Sequence, residues 1–304
     1  MTQVRRGTLY CAGAYLLWGL FPLYWPLLAP AGAIEVLSHR IVWSLAVVAA
    51  LLVVGARSTS LRPLLADRRR LALLTAAACV ISVNWGCYIW GVTNGRVVET
   101  SLGYFINPIV TVLLGVVVLG ERLRRAQWAA LGMAALAVLV LTVEAGHPPY
   151  LALALAFSFG TYALLKKSAS VGAVEGLAVE TAVLTPVALG YLVLLGAHGS
   201  GTFTSQGAGH ALLLAGAGVV TAVPLLLFGG AATRVPMTTL GVMQYLAPTI
   251  QFLLGITIFD EPLPLPTLLG FALVWAGLVL FTADLVRHRR RTQRAGVPVA
   301  IPVG

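Results

Sequence analysis

Apolar residues in this chain run in blocks of about twenty, separated by short polar joints. Ten blocks stand out, at roughly 7–28, 34–55, 71–92, 98–119, 126–143, 149–166, 173–196, 208–230, 237–259 and 265–285. A helix of about 20 mostly apolar residues crosses the hydrocarbon core of a bilayer. The pattern therefore predicts ten transmembrane helices. The joints hold the breakers and charges: Pro30, Arg57 to Arg70, Arg122 to Arg125, His147-Pro148-Pro149, Lys166-Lys167, His198 to Gln206 and Asp260 to Pro266. The Gly/Ser/Thr-rich joint near 197–207 is expected to be flexible.

Composition agrees. The 304 residues are 59% hydrophobic and 10% charged, with a mean hydropathy of +0.92, whereas a soluble domain carries about a quarter charged residues. The net charge of +10 is not a nucleic-acid footprint, because the basic residues fall in short joints between apolar blocks. With the N-terminus inside, the internal joints collect Arg5, Arg6, Arg57, Arg62, Arg68 to Arg70, Arg122, Arg124, Arg125, Lys166, Lys167, Arg234 and the arginines of the tail. The external joints collect only Arg96. This bias predicts both termini in the cytoplasm. Arg5-Arg6 before an apolar block could mimic a signal peptide, but the spans that follow favour a first transmembrane helix. Cys11, Cys79 and Cys87 lie inside apolar blocks without metal-ligand spacing and read as small hydrophobes.

The chain also repeats itself at an interval of about 140 residues. Pro108-x6-Gly115-x5-Glu121 returns as Pro248-x6-Gly255-x5-Glu261, and Ala33, Glu35 and Leu37 return as Ala173, Glu175 and Leu177. Five helices per copy is an odd number, so the second copy must enter the membrane upside down. Inverted repeats of this kind place a substrate site near the midplane between the halves. The expected architecture is an all-α integral membrane protein of ten helices, N-in and C-in. Residues 1–143 form the first five-helix repeat, 144–286 the inverted second repeat, and 287–304 a basic cytoplasmic tail. That tail reads as a stop-transfer and anionic-lipid anchor.

Ionisable groups inside a bilayer cost about 2.5–3.5 kcal/mol on insertion scales and mark functional sites by default. Glu35, His39 and Arg40 cluster in the outer half of the second block. They read either as a charge-recognition or proton-responsive cluster, or as a structural Glu35–Arg40 or Glu35–His39 pair. The repeat places Glu180 against Arg40 at a mirrored depth, which suggests gating pairs for the two faces. An ion pair within one half stands beside that reading. Asn84, Trp85, Tyr88, Tyr104 and Asn107 form the richest polar-aromatic run, suited to stacking on an organic substrate or a cation and equally to packing. Gln244, Tyr245 and Gln251 supply polarity in the second half. Pro108 and Pro248 are expected to break their helices and free carbonyls near the midplane. Glu121 and Glu261 end their blocks at opposite faces and read as architecture.

Several stretches resemble the EamA branch of the drug/metabolite transporter superfamily, and within it the RarD group. They are Gly19 through Trp25 (GLFPLYW), Glu35 through Ser44 (EVLSHRIVWS), Ser101 through Pro108 (SLGYFINP), Leu155 through Gly160, Val220 through Leu225 and Gln244 through Thr249. The resemblance spans about residues 7–284. It implies a ten-helix basket with a central cavity, alternating access, a cytoplasmic-membrane location and no bound cofactor or metal. The acidic residue that small multidrug relatives use in their first helix is absent, so that coupling scheme is not carried over.

The functional expectation is a secondary permease for a small metabolite or drug, with the lipid bilayer and that solute as partners and no nucleic acid. Proton coupling and exchange are both open. No Walker A motif supports ATP-driven transport, and no H-E-x-x-H supports an embedded enzyme. A non-transporting sensor or accessory protein is the other alternative. One chain suffices to build both halves, so no oligomer is required.

Overall fold

The computed structural model describes residues 3–54, 61–119, 124–232, 234 and 243–294. Its elements are helical throughout: α1 (Gln3–Gly19), α2 (Phe21–Tyr24), a 3₁₀ turn (Trp25–Leu28), α3 (Ala33–Val54), α4 (Leu61–Ala66), α5 (Arg68–Thr93), α6 (Val97–Leu119), α7 (Arg125–Ala145), α8 (Tyr150–Ala169), α9 (Ala173–Ala197), α10 (Gly207–Ala232), α11 (Leu246–Thr257) and α12 (Leu265–Arg294). Among the described residues six stretches, within α3, α5, α7, α9, α10 and α12, are long and apolar enough to span a bilayer. A seventh results if α1, α2 and the 3₁₀ turn count as one span bent by 42°. Tyr150–Lys166 and Leu246–Thr257 are shorter apolar helices.

The outer surface is apolar. Val53, Val54, Val143, Val187, Leu212 and Val279 are each at least 70% exposed. A water-soluble monomer rarely exposes contiguous apolar area on that scale, so these side chains face lipid. This is a multi-pass membrane protein. Helix ends have local causes: the Asp67 carboxylate accepts from the Arg70 backbone N–H at 3.1 Å and caps α5. Gly146, at φ 71°, closes α7 in the left-handed conformation that glycine adopts without penalty.

Two expectations need correction. The first apolar block is not one straight helix. Pro22 and Pro26 each lie at the second position of a new helical segment after Gly19, and proline, lacking an N–H and fixed in φ, suits a first turn rather than a helix interior. Pro108 does not break its helix, because α6 runs through it. Proline there removes only the donor to the Tyr104 carbonyl, and an intact ladder on both sides tolerates one missing bond. Pro248 lies in the first turn of α11, where no intrahelical donor is required; Met243 is helical and Gln244-Tyr245 form a turn before α11, so the expected interruption falls just ahead of this proline. The Glu121 end of the first Pro–Gly–Glu unit lies outside the described residues.

Helix packing runs across the chain. α3 lies between α9 and α10, and α5 packs on α8 and α9. α6 packs on α8 and α11, α1 on α10 and α11, and α7 on α12. Close approaches depend on glycine. A Cβ on Gly218 of α10 would fall 2.4 Å from the Trp43 backbone of α3, and one on Gly103 of α6 would fall 2.8 Å from the Ala152 carbonyl of α8. The first of these contacts sets the reach of the site described next.

Candidate functional site

Arg40 sits in the eighth position of α3, about 10 Å along its axis from Ala33, and is 4% exposed. Its guanidinium lies on the Trp85 ring, with Cζ 4.0 Å from the centroid. Trp25 and Phe21 flank it at 5.3 and 5.8 Å. The bend after Gly19 has a use here, because it turns the Phe21–Trp25 segment so that both rings reach the guanidinium. Arg40 Nε donates to Thr221 Oγ1 of α10 at 2.8 Å, and Thr221 in turn donates to the Ala217 carbonyl. Thr221 lies one turn from Gly218, so the close α3–α10 contact carries this bond. Among the described residues no carboxylate pairs with Arg40.

Next to Arg40 stands a polar cluster on α5, α6 and α8. Asn84 donates to the Leu155 carbonyl at 3.0 Å and to Ser158 Oγ at 2.9 Å, and accepts from the Tyr104 hydroxyl at 3.3 Å. Tyr88 packs edge-on against Tyr104. Both tyrosines are near enough to Arg40 to interact with it electrostatically. Two donors here have no hydrogen-bond partner among the described residues, the Tyr88 hydroxyl and Trp25 Nε1, and both are buried. The sequence-predicted residues Arg40, Asn84, Trp85, Tyr88 and Tyr104 therefore form one site. Phe21, Trp25, Ser158 and Thr221 belong to it and were missed. Phe21 and Trp25 stood in the GLFPLYW stretch and Thr221 in the Val220–Leu225 stretch, so motif position, not residue type, was the available signal.

The other predicted residues go elsewhere. Glu180, on α9, accepts from Lys166 Nζ at 2.7 Å and from the Tyr162 hydroxyl at 3.2 Å. It forms an ion pair within the second half and does not pair with Arg40. Glu35 bonds to neither Arg40 nor His39. It accepts from the Thr202 backbone N–H at 2.7 Å and from Thr202 Oγ1 at 3.0 Å, while Thr202 Oγ1 lies 2.8 Å from His210 Nε2. Phe203 stacks on His39 at 4.7 Å between centroids and lies 6.3 Å from Trp43. The joint near 197–207 is thus docked on α3, contrary to the expected flexibility, because Phe203 and the Thr202 N–H find partners there.

Gln251 is buried and donates to the Trp18 carbonyl at 3.0 Å, tying α11 to α1. Tyr245 interacts with Gln244 and Thr282. Asn107 is buried on α6. Glu261 lies in the joint between α11 and α12 and caps α6, with its carboxylate accepting from the Val97 and Val98 backbone N–H groups, the latter at 2.8 Å. Burial pushes the Glu261 carboxyl up, and the two N–H donors oppose this without cancelling it. Among the described residues no His/Cys/Asp/Glu group is arranged to hold a metal ion. Two clefts of about 280 and 290 Å³ open near Arg70 and Ser170, and neither reaches Arg40.

Comparison with known proteins places this geometry in a family. Residues 5–143 match the EamA-like transporter family. Protein RarD of Streptomyces exfoliatus is 57% identical over 300 residues, covering 99% of this chain and 95% of that one. The chain belongs to the RarD group of the EamA family. The uncharacterized transporter YojE of Bacillus subtilis is 42% identical, covering 96% of this chain and 98% of that one. The chloramphenicol-sensitive protein RarD of Pseudomonas aeruginosa is 30% identical with 96% and 98% covered. A solved crystal structure at 21% identity shares the fold, with a TM-score of 0.59 over 93% of this chain and 98% of that one. Family membership and the relatives named as transporters identify a membrane transporter and point away from an enzyme.

Proposed function

We propose that this RarD-group protein is a secondary permease. It moves a small metabolite or drug across the cytoplasmic membrane by alternating access between two inverted five-helix halves. The observation that carries the reading is Arg40. It is a buried cation with no acid paired to it among the described residues, held between α3 and α5 of the first half and Thr221 of the second. An intramembrane charge at the junction of two halves is the expected mark of a transport path.

The packing supports the inverted pair. α9 begins 140 residues after α3, and α12 begins 140 residues after α7. Exchanging each helix for its counterpart turns the α5–α8 contact into α10–α1, α6–α8 into α11–α1, and α3–α10 into α9–α5, all of which occur. The basic joints support N-in and C-in orientation.

The test is uptake into proteoliposomes of amino acids, phenicols and cationic dyes, with and without a pH gradient. Saturable flux of any solute is the expected outcome. A pH gradient that accelerates it assigns proton coupling, with Glu35 and His39 as the groups to substitute. Gradient-independent counterflow assigns exchange. Binding without flux across the panel would overturn the permease in favour of a sensor.

A further inference from the structure

We infer that the transported solute carries an anionic group, a carboxylate or a phosphate, which binds at Arg40 between Trp25 and Tyr88. The inference rests on the permease reading and names the substrate class of that same site.

Three observations lead there. First, Arg40 has no counter-charge among the described residues. The other buried acids are satisfied elsewhere, Glu180 by Lys166 and Tyr162, and Glu35 by Thr202. A lone guanidinium at this depth is costly, and a bound anion would supply the missing charge. Second, the guanidinium is oriented for such a ligand. Its face lies on Trp85 and its Nε is engaged by Thr221. No protein acceptor takes its two terminal NH₂ groups among the described residues, so one edge of the planar fork remains. That edge suits the bidentate geometry of carboxylate and phosphate. Third, the unpartnered groups beside it are donors. Trp25 Nε1 can only donate, and Tyr88 offers its hydroxyl proton. Buried donors without acceptors are uncommon in a finished fold, and an anion accepts from both.

The same geometry excludes the opposite choice. The Trp85, Trp25 and Phe21 rings that could hold a cationic solute already face the Arg40 guanidinium. A second cation would meet that charge instead of the ring faces.

The test has an arm that needs no substrate. Because the ligand-free protein carries an uncompensated charge, Arg40→Met is expected to raise the unfolding temperature of the purified protein while abolishing transport. A fall in that temperature would make Arg40 a structural residue and overturn the inference.

The second arm uses four probes that share a phenyl body and differ in charge: phenylacetate, phenyl phosphate, benzyl alcohol and phenylethylamine. Glutarate, inorganic phosphate and sulfate complete the panel. Binding is read by intrinsic tryptophan fluorescence, and uptake in proteoliposomes. At least one anion should bind about 10-fold or more tightly than the neutral and cationic probes. Tyr88→Phe removes a hydroxyl that the fold does not use, so it should leave the unfolding temperature unchanged and weaken anion binding by about 10-fold.

Equal or tighter binding of phenylethylamine, anion binding that survives Tyr88→Phe and Arg40→Met, or no anion bound below about 10 mM would each sink the inference. Charge-blind flux would leave the permease standing without the anion. Anion binding without flux of any solute would do the reverse.

Discussion

Arg40 and Glu180 lie 140 residues apart, each in the eighth position of its helix, yet they are held in opposite ways. Glu180 is 1% exposed and neutralised inside its own half by Lys166, with Tyr162 as a second donor. Arg40 has aromatic rings and one threonine hydroxyl. A paired charge holds helices together, whereas an unpaired one leaves its binding capacity unused. Under the proposed inverted repeat, one position would serve as a structural member in one half and as a recognition group in the other.

Substitutions can break this contrast. The largest effect expected is from Arg40→Gln, which should reduce solute flux about 100-fold or more with folded protein retained, by loss of a charge-assisted contact. Glu180→Gln should leave flux within about twofold, and comparable flux losses from both would refute the division of roles.

Next comes Gly218→Ala, whose Cβ would meet the Trp43 backbone. It should destabilise by about 3 kcal/mol and lower flux through displacement of Thr221, read by thermal unfolding and uptake on the same sample. Glu180→Gln itself should cost about 1–3 kcal/mol, less than a fully buried pair because Lys166 is partly exposed. The apolar double change Glu180→Leu with Lys166→Met should recover most of that loss, as expected where a pair is structural. Ser158→Ala should have the smallest effect, about 1 kcal/mol, because Asn84 keeps its bond to the Leu155 carbonyl. A larger loss of flux than of stability there would place Ser158 in the recognition site.

Hydropathy blocks anticipated the helices well: α3 and α9 begin and end within a residue of the expected blocks, whereas α5 starts at Arg68 and α12 runs on to Arg294, through the charges expected to bound them. Proline was misread in both directions. A proline within a continuous apolar run signals a break only if its neighbours do not sustain the helix, and around Pro108 they do. Pro22 and Pro26, scarcely weighed, mark the bend that brings Trp25 to Arg40. The site was half legible. Intramembrane charge and a polar-aromatic run drew attention to Arg40, Trp85 and Tyr88. Thr221 and Ser158 carried no such mark, because a lone hydroxyl in an apolar helix more often bonds its own backbone.

The sequence alone determined that the chain lives in a bilayer, that it repeats, and which helices carry charge. Those are properties of composition and spacing, set by the cost of moving each residue out of water. The tertiary structure decided which charges meet. Partners 14 to 181 residues apart are chosen by helix packing and glycine-enabled approach, which no local pattern encodes. On that choice rests the difference between a satisfied glutamate and an arginine left with an open edge.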